Sequence, residues 1–534
     1  MIRINQLKVP INSAAKNLDD TFLRREILKV LHIAPERMLG YEVIKRSIDA
    51  RKADDIHYTY CIDVEVDKEA DYLKQNRNKN IVKSETVLYA LPKPVQNKKQ
   101  ERPIVCGSGP AGMFCAYFLS LAGLNPVVIE RGMPVEKRAQ SVEHFWNTGE
   151  LDPETNVQFG EGGAGTFSDG KLNTMVKDTY GRIRRVLKIF VQFGAPEEIL
   201  YQNKPHIGTD CLRKVVAAMR KEIQRLGGEF LFQTRLDDIA VKNGRISGIL
   251  CTSKKEKQWY NADTLVLAIG HSARDTFQML YEKGLCMEKK PFAVGVRVEH
   301  KQEFINRAQY KTAANLLPPA DYKLTYTAAS GRGVYSFCMC PGGYVVNASS
   351  EQGRLVVNGM SDHARDGRNA NSALVVTVTP EDFPADTPLA GIRFQQQYET
   401  LAYQAGRGAI PYQLYGDLLE GRKSTGFGQI VPDHRGNAVP SDLRECLPDY
   451  VIEALLEGMY AFGQKIPGYN DKEAVFSGVE MRTSSPVRIV RDKQFTGSIQ
   501  GIYPCGEGAG YAGGIMSAAI DGIKVFEAIY EKQK

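Results

Sequence analysis

The N-terminal part of the chain alternates short stretches in which hydrophobic positions have helix-like or strand-like spacing. Over residues 22–31 the apolar side chains recur every three or four positions, the spacing of one face of a helix. A more polar helix is predicted over residues 70–75, and extended apolar patterns predict strands over residues 2–11, 41–48, 58–66 and 87–91. We therefore predict a small α+β domain over residues 1–92.

A stretch rich in proline and lysine, residues 93–102, has the composition of a linker. Beyond it the pattern becomes buried strand, glycine turn, apolar helix and buried strand, over residues 104–106, 111–122 and 126–130. Further along, the pair Asn243 and Gly244 between two strand-like runs predicts a hairpin, and residues 264–270 predict another buried strand. This order predicts an α/β fold of the Rossmann type, with a first part over residues 103–288.

The segment 289–476 mixes strand-like pieces, such as residues 292–298 and 344–348, with loops and helices. We predict that it forms an α+β cap or substrate domain inserted into the nucleotide-binding fold. The segment 477–534 holds one more short strand and a helix, and we predict that it completes the Rossmann-type domain.

Bulk composition narrows the classes of function. A chain of 534 residues is long enough for two or three domains, and a net charge of +7, from 69 basic and 62 acidic residues, gives no reason to predict a nucleic-acid partner. Ten cysteines without a Cys-x-x-Cys pair and an N-terminus without a secretory signal predict a cytoplasmic protein with reduced thiols. No membrane span and no metal site are predicted, and the oligomeric state is left open.

One glycine motif, G-x-G-x-x-G, carries most of the functional information, but only in context. It occurs three times, at Gly107, Gly109 and Gly112, at Gly160, Gly162 and Gly165, and at Gly508, Gly510 and Gly513. The first copy alone lies between a short buried strand and a helix, with Glu130 at the end of a second strand. We expect Gly107 to allow the tight turn, Gly109 to let a pyrophosphate approach the backbone, and Gly112 to permit close helix packing. Glu130 is then expected to accept hydrogen bonds from ribose hydroxyls.

The other two copies have different meanings. The third follows a strand, but only one helix can follow it, so we expect it to complete a dinucleotide site that begins earlier. The second continues into Gly170 and Lys171, which resembles part of a P-loop. Leu172 stands where a P-loop has its magnesium-binding hydroxyl, so we do not expect a nucleoside triphosphatase.

Four segments together resemble the bacterial FAD-dependent dehydrogenases, within the glutathione-reductase-like group of flavoproteins. They are residues 103–112, Val128-Ile-Glu-Arg-Gly132, Phe159-Gly-Glu-Gly-Gly-Ala-Gly-Thr-Phe-Ser-Asp-Gly-Lys-Leu172 and Tyr503-Pro-Cys-Gly-Glu-Gly-Ala-Gly-Tyr-Ala-Gly-Gly514. The resemblance implies FAD as the cofactor and a Rossmann-type domain that holds it. It identifies no substrate.

The resemblance also implies positions for the cofactor. Glu130 and Arg131 would lie at its adenosine end, residues 162–166 near its pyrophosphate and flavin, and Leu236 beside adenine. Glu507 stands where many relatives have an aspartate that contacts the ribityl chain. The full set implied to bind FAD is Gly107, Gly109, Pro110, Ala111, Gly112, Glu130, Arg131, Gly162, Gly163, Ala164, Gly165, Thr166, Leu236, Gly270, Gly506, Glu507, Gly514 and Ile515.

A helix predicted to begin near Ile515 would aim its positive end at the N1–O2 edge of the flavin. A helix dipole in such a place contributes roughly 0.3–1 kcal/mol, and up to about 2 kcal/mol when partly buried. We therefore expect this helix to stabilise the reduced flavin and to favour hydride acceptance.

Two candidates for catalysis stand in the cap and after it. Cys340 lies two positions from Cys338, a spacing that puts both thiols on one face of a strand and allows either redox or substrate contact or simple packing. Arg482 could clamp a substrate carboxylate, or it could tie the cap to the cofactor domain.

The leading hypothesis is an FAD-dependent oxidoreductase that passes a hydride between a small organic substrate and FAD, with NAD(P)H as a possible transient electron donor. One alternative is an FAD-dependent reductase of an apolar or prenyl-like substrate. Another is a flavoprotein whose N-terminal domain binds RNA or protein.

Overall fold

The structure is a computed structural model that describes residues 1–11, 20–52, 55–95 and 101–533. Residues 96–100 of the predicted linker lie outside the described residues. Within the described ranges, every helix is too short or too polar to cross a membrane. Short 3₁₀ helices occur at Pro35–Arg37, Ala164–Phe167, Glu197–Leu200, Lys311–Leu316, Pro380–Asp382 and Leu443–Glu445.

The N-terminal unit is an antiparallel sheet with helices Asp20–Leu31 and Glu69–Gln75, as its hydrophobic pattern predicts. The helix Asp20–Leu31 buries Leu23, Ile27 and Leu31, the four-residue spacing of one helical face. In spatial order the four strands are Met38–Asp49, His57–Val66, Ile2–Pro10 and Ile81–Lys83.

The strand predicted over residues 87–91 is wrong, because this described segment runs outside every sheet. Contacts with helices hold it in place instead. The Tyr89 ring packs edge-on against Phe118 with 5.7 Å between centroids, and its hydroxyl donates to Glu527 at 2.7 Å. Arg185 donates to the Tyr89 carbonyl at 2.9 Å, so a side chain takes the place of a neighbouring strand.

A parallel five-stranded sheet forms the predicted Rossmann-type unit. Its helices are Pro110–Leu121, Val135–Thr148, Arg182–Gln192, Thr209–Arg225, Arg274–Glu282 and Ile515–Gln533. In spatial order its strands are Ile502–Pro504, Leu265–Leu267, Ile104–Cys106, Val127–Glu130 and Glu229–Phe232. The strand near the C-terminus therefore pairs with Leu265–Leu267 and extends the sheet that begins at residue 104.

A three-stranded antiparallel sheet lies beside it, formed by Thr234–Lys242, Arg245–Ser253 and Glu256–Asn261. Asn243 and Gly244 connect the first two strands with φ angles of 51° and 71°. Positive φ at both central residues is the geometry of the tight hairpin turn that this pair predicts.

The cap has a seven-stranded sheet at its centre, with helices Gln302–Tyr310, Ala390–Gly406, Tyr415–Leu419 and Asp449–Lys465. Its strands are, in spatial order, Thr325–Thr327, Gly333–Cys340, Asn369–Val378, Phe292–Lys301, Val475–Glu480, Ile410–Leu414 and Ala438–Pro440. A three-stranded sheet contains Val357–Met360, Tyr344–Asn347 and His434–Arg435, and a two-stranded sheet contains Met287–Lys289 and Val487–Ile489.

The predicted boundary between residues 476 and 477 falls inside the strand Val475–Glu480. That strand pairs with Phe292–Lys301 on one side and Ile410–Leu414 on the other, so it belongs to the cap sheet. We propose that the cap continues to Glu480, and the other domain boundaries stay predictions.

Candidate functional site

The first glycine motif forms a turn between the strand Ile104–Cys106 and the helix Pro110–Leu121. Gly107 has a φ of 100°, and a Cβ there would lie 2.3 Å from the carbonyl oxygen of Ala268. A Cβ on Gly112 would lie 1.9 Å from the Gly107 carbonyl oxygen. Both positions therefore require glycine, for the turn and for helix packing respectively.

Glu130, at the end of the next strand, holds this turn in place. Its Oε2 accepts hydrogen bonds from the backbone N–H of Ser108 at 3.0 Å and from the Ser108 hydroxyl at 2.7 Å. Its Oε1 accepts from the N–H groups of Gly132 at 2.9 Å and Gly160 at 3.0 Å. The carboxylate thus joins the first and second glycine motifs, and its expected contact with ribose stays a prediction.

The second glycine motif packs directly against the first, and both border one cavity. A Cβ on Gly163 would lie 3.0 Å from the Cα of Gly109, so the two backbones approach closely. Arg138, a fully buried side chain that the sequence reasoning missed, organises this loop. Its guanidinium donates to the backbone carbonyls of Asn156, Val157, Gly160, Glu161 and Gly163. Burial lowers the pKa of Arg138 to about 9.

The third glycine motif closes the same cavity. The Glu507 carboxylate accepts a hydrogen bond from His271 Nδ1 at 3.1 Å. The helix Ile515–Gln533 begins immediately after Gly513 and Gly514. A Cβ on either of these two glycines would meet nothing within 4 Å. The segment before the helix therefore borders open space.

Fifteen of the predicted site residues line this one cavity, and five do not. Gly112, Gly162, Thr166, Gly506 and Cys340 are not among its lining residues, and their expected contacts stay predictions. Lining the cavity are Gly107, Gly109, Pro110, Ala111, Glu130, Arg131, Gly163, Ala164, Gly165, Leu236, Gly270, Arg482, Glu507, Gly514 and Ile515.

Cap residues line the other end of the cavity, and the sequence reasoning missed most of them. Arg297 donates to Glu480 at 2.8 Å, to Asn358 at 2.9 Å and to the Cys338 carbonyl at 3.0 Å. Burial raises the pKa of Glu480, and the charge of Arg297 opposes that shift. Arg297 is far from these partners in the sequence, so no local pattern marks it.

Lys171 and the buried Asp169 add a second ion pair at this end, with 3.3 Å between Nζ and the carboxylate. Asp169 also accepts from Arg365. Burial alone would raise the pKa of Asp169, but the charges of Lys171 and Arg365 hold it below its ordinary value.

Cys338 lines the cavity, whereas Cys340 is fully buried. Cys338 has a φ of 44° and the pairing register shifts beside it, so a bulge replaces regular strand geometry. A hydrogen bond from Cys340 lowers the pKa of the Cys338 thiol well below its ordinary value, and Lys171 and Arg297 act in the same direction.

Arg482 is occupied by protein groups. It donates to Glu399 from Nε at 2.9 Å and from Nη2 at 2.8 Å, and its Nη1 donates to the hydroxyls of Ser272 and Ser350. Glu399 lies on the cap helix Ala390–Gly406, so this arrangement agrees with the tie between cap and cofactor domain. A contact with substrate stays a prediction for both Arg482 and Cys340.

The residues around the cavity fit FAD. Gly270, like Gly513 and Gly514, has open space where a Cβ would point. Among the described residues, His271 Nε2 is buried without a hydrogen-bond partner in the cavity wall. The helix Ile515–Gln533 presents its positive N-terminus there. In the described part of the chain, no cluster of three His, Cys, Asp or Glu side chains is arranged to hold a metal ion.

Comparison with known proteins agrees with this cofactor. A family model described as FAD-dependent protein, C-terminal domain-like, matches residues 291–483, and a domain of unknown function matches residues 1–65. A Clostridium beijerinckii protein, named only as an uncharacterized protein, is 49% identical in an alignment of 534 positions. The alignment covers 98% of this chain and 99% of that protein.

Two solved structures align with this chain, each at 13% identity. One is flavin-dependent brominase Bmp2, with a TM-score of 0.37, and the other is L-proline dehydrogenase from P. horikoshii, with a TM-score of 0.33. The alignments cover 81% and 82% of this chain, and 79% and 95% of those chains. Scores this low carry no conclusion about function. The relative that matches at full length carries the family assignment, and the matched family model names FAD. The chain therefore belongs to the same family as the C. beijerinckii protein, and its segment 291–483 matches the model of an FAD-dependent protein.

Proposed function

We propose that this protein passes a hydride between a small polar organic substrate and FAD. One observation supports the proposal most. A single cavity is lined by the glycine turn at Gly107 and Glu130 at one end and by cap residues such as Arg297 and Cys338 at the other. A substrate held by the cap would therefore share one enclosed space with the cofactor.

The chain's own residues prepare that space. FAD, when bound, supplies the hydride-transfer chemistry. The turn at Gly107–Gly109 and the N-terminus of the helix that follows it would hold the pyrophosphate by backbone N–H groups. Glu130 would orient the adenosine end, and the helix Ile515–Gln533 would place its positive end beside the flavin.

The cap end of the cavity favours a polar substrate over an apolar or prenyl-like one. Its lining includes the charged side chains of Lys171, Arg297 and Glu480 and the amides of Asn173 and Asn358. Arg297 pairs with Glu480 and Lys171 pairs with Asp169, but an apolar ligand would displace water from these groups and offer no hydrogen bond in return, which is costly in a buried site.

NAD(P)H is proposed as a transient donor at the flavin face. Among the described residues, one sheet consists entirely of parallel strands, and it is the sheet assigned to FAD. NAD(P)H therefore has no second Rossmann-type unit of its own in the described part of the chain. The affiliation with glutathione-reductase-like flavoproteins is likewise a proposal, supported by the four sequence segments named above.

The test is an anaerobic reduction screen of the purified protein. We expect a yellow protein with a flavin spectrum that bleaches with hydroxylated, amino-bearing or carboxylated small molecules, and a parallel panel contains NADH, NADPH and prenyl alcohols. Bleaching by prenyl alcohols alone would favour the apolar alternative. A colourless protein that takes up no added FAD would overturn the proposal.

Cys338 is the residue of the cysteine pair that we propose to face the substrate. Replacing Cys338 with Ser removes the group that lines the cavity, so we expect kcat/KM for the bleaching substrate to fall by at least tenfold. Cys446→Ser is the control, because Cys446 is a buried cap cysteine that lines neither this cavity nor the one described below. Equal kinetics for wild type and both variants would leave packing as the role of Cys338.

A further inference from the structure

A second cavity, of about 810 Å³, lies where the N-terminal unit, the Rossmann-type unit and the cap meet. Arg46 and Tyr58 border it from the N-terminal sheet, His206 from the segment before the helix Thr209–Arg225, and Tyr322 and Lys323 from the cap. Ligand pockets in proteins commonly have volumes of about 300–1,000 Å³. The cavity is therefore large enough for a small molecule.

Its wall carries more positive than negative charge. The acidic side chains that line it are Glu198 and Asp321, and the basic ones are Arg46, Arg51, Lys204, Lys323, Arg365 and Lys465. Lys204 pairs with Asp321 at 2.7 Å, and Arg51 and Arg365 pair with carboxylates outside the lining, those of Asp49 and Asp169. Among the described residues, Arg46, Lys323 and Lys465 line the cavity without an ion-pair partner.

Arg46 is fixed in this wall by packing and backbone contacts. Its guanidinium lies 5.5 Å from the ring centre of Tyr58 and 5.1 Å from that of Tyr201. Its backbone N–H donates to the Tyr201 carbonyl at 2.6 Å, and its carbonyl accepts from Asn203 at 2.9 Å. Aromatic rings and a neighbouring segment thus hold a cation at the cavity without neutralising it.

A second feature of the wall also indicates a ligand. His206 stacks on His363 with 5.2 Å between ring centroids, and His206 Nε2 bonds to the His363 carbonyl at 3.0 Å. The other ring nitrogen of His206, Nδ1, is buried without a partner among the described residues. Because Nε2 donates to that carbonyl, Nδ1 of the neutral ring is a hydrogen-bond acceptor, and a hydroxyl or protonated phosphate oxygen of a ligand would satisfy it.

We propose that this cavity binds a small anion that carries phosphate or carboxylate groups. Arg46, which packing holds in place, and the exposed Lys323 and Lys465 have no carboxylate partner among the described residues and favour such groups over neutral ligands. Arginine matches their planar or tetrahedral oxygens. The site is separate from the FAD cavity but adjoins it, because Arg365 lines the second cavity and pairs with Asp169, which lines the first.

The experiment is calorimetric titration of the FAD-loaded protein with inorganic pyrophosphate and with citrate at low ionic strength. FAD loading keeps the pyrophosphate contacts of the first cavity occupied. We expect saturable binding of one anion per chain for at least one probe. Binding of pyrophosphate alone indicates a phosphate ligand, and binding of citrate alone indicates a carboxylate ligand. No saturable binding of either probe overturns the proposal.

Variants assign the binding to this cavity. Lys323 and Lys465 are exposed, so the double variant K323M/K465M is expected to fold, and it should raise the Kd at least fivefold. The control is K242M/K257M, which removes the same charge from exposed positions that line neither cavity. Arg46→Met is a second, independent variant with the same expected direction. A Kd that changes less than fivefold in both cavity variants, or equally in the control, overturns the assignment.

Discussion

Gly112 lies in the first turn of the helix Pro110–Leu121 and packs against the preceding glycine turn, so there is no room for a methyl group at its Cα. In an ordinary helix, alanine is more favourable than glycine by about 1 kcal/mol. Here we expect Gly112→Ala to lower the free energy of unfolding by about 1–3 kcal/mol or more, because its Cβ would overlap the Gly107 carbonyl. Urea unfolding measures the change.

Gly426 provides the control for that substitution. A Cβ there would meet nothing within 4 Å, and its φ is not in the left-handed region. Gly426→Ala should leave stability and FAD content unchanged. A Gly112→Ala protein as stable as this control would contradict the packing role of Gly112.

Glu130 meets four hydrogen-bond donors with its two carboxylate oxygens. Glutamine has the same shape, but its amide nitrogen would point a donor at the N–H groups of either Ser108 or Gly132. We expect Glu130→Gln to weaken FAD binding at least tenfold, because unsatisfied buried donors cost about 1–3 kcal/mol each. Equilibrium titration with FAD measures the effect, and an unchanged Kd would refute it.

The residues that could be predicted from the sequence are those with local signals. Glu130 stands at a strand end a fixed distance after Gly112, and this spacing is part of the motif itself. Arg138 and Arg297 have no such mark. Arg138 donates to carbonyls of a loop beyond the end of its own helix. Arg297 donates to Glu480, which lies on the neighbouring strand of the cap sheet but far along the chain. Only the folded structure brings these partners together.

At the scale of elements, the cap helix Ala390–Gly406 is joined to the rest of the protein by Glu399. This buried carboxylate pairs with Arg274 and Arg482. Burial opposes its charge, but the two arginines lower the pKa of Glu399 from 4.5 to about 2. Replacing it with Gln would leave two buried cations with Glu351 as their one remaining ion-pair partner among the described residues, so we expect a loss of about 3–5 kcal/mol in unfolding free energy at pH 7.

The pH dependence of this pair has a definite sign. Because the pKa of Glu399 is lower in the folded state, its contribution is complete above pH 4.5 and disappears as the pH falls towards about 2. The stability difference between wild type and Glu399→Gln should therefore shrink over that interval. Denaturant midpoints measured at several pH values test this, and a constant difference would contradict it.

Elements whose hydrophobic residues recur with clear helix or strand spacing could be predicted from the sequence, whereas the structure of the segment 87–91 could not. The helix Asp20–Leu31 and the hairpin at Asn243 and Gly244 follow from spacing and turn chemistry. The segment 87–91 has strand-like residues, yet its partners are helices of another unit, so local propensity could not decide its structure. The cap sheet could be predicted only as a class of structure, because its strand order depends on distant pairing.

For the whole molecule, FAD is expected to stabilise parts of the fold that lie far apart in the sequence. Its predicted contacts extend along the chain from Gly107 to Ile515. At a free concentration 100 times the Kd, binding to the folded state alone contributes about 2.7 kcal/mol. We expect the Tm to rise with added FAD, and less with riboflavin, which lacks the adenosine end. Thermal melting tests this, and an equal rise with both ligands would contradict the role of Glu130.

The order of the parallel sheet has a consequence for how the protein is made. Leu265–Leu267 receives its outer neighbour, Ile502–Pro504, from a part of the chain that the ribosome synthesises only after the whole cap. Until then its backbone groups form an open strand edge, the kind of surface on which nascent chains aggregate. That edge stays open while residues 268–501 are synthesised and needs protection during that interval, and the FAD cavity is complete only after residue 515 has emerged.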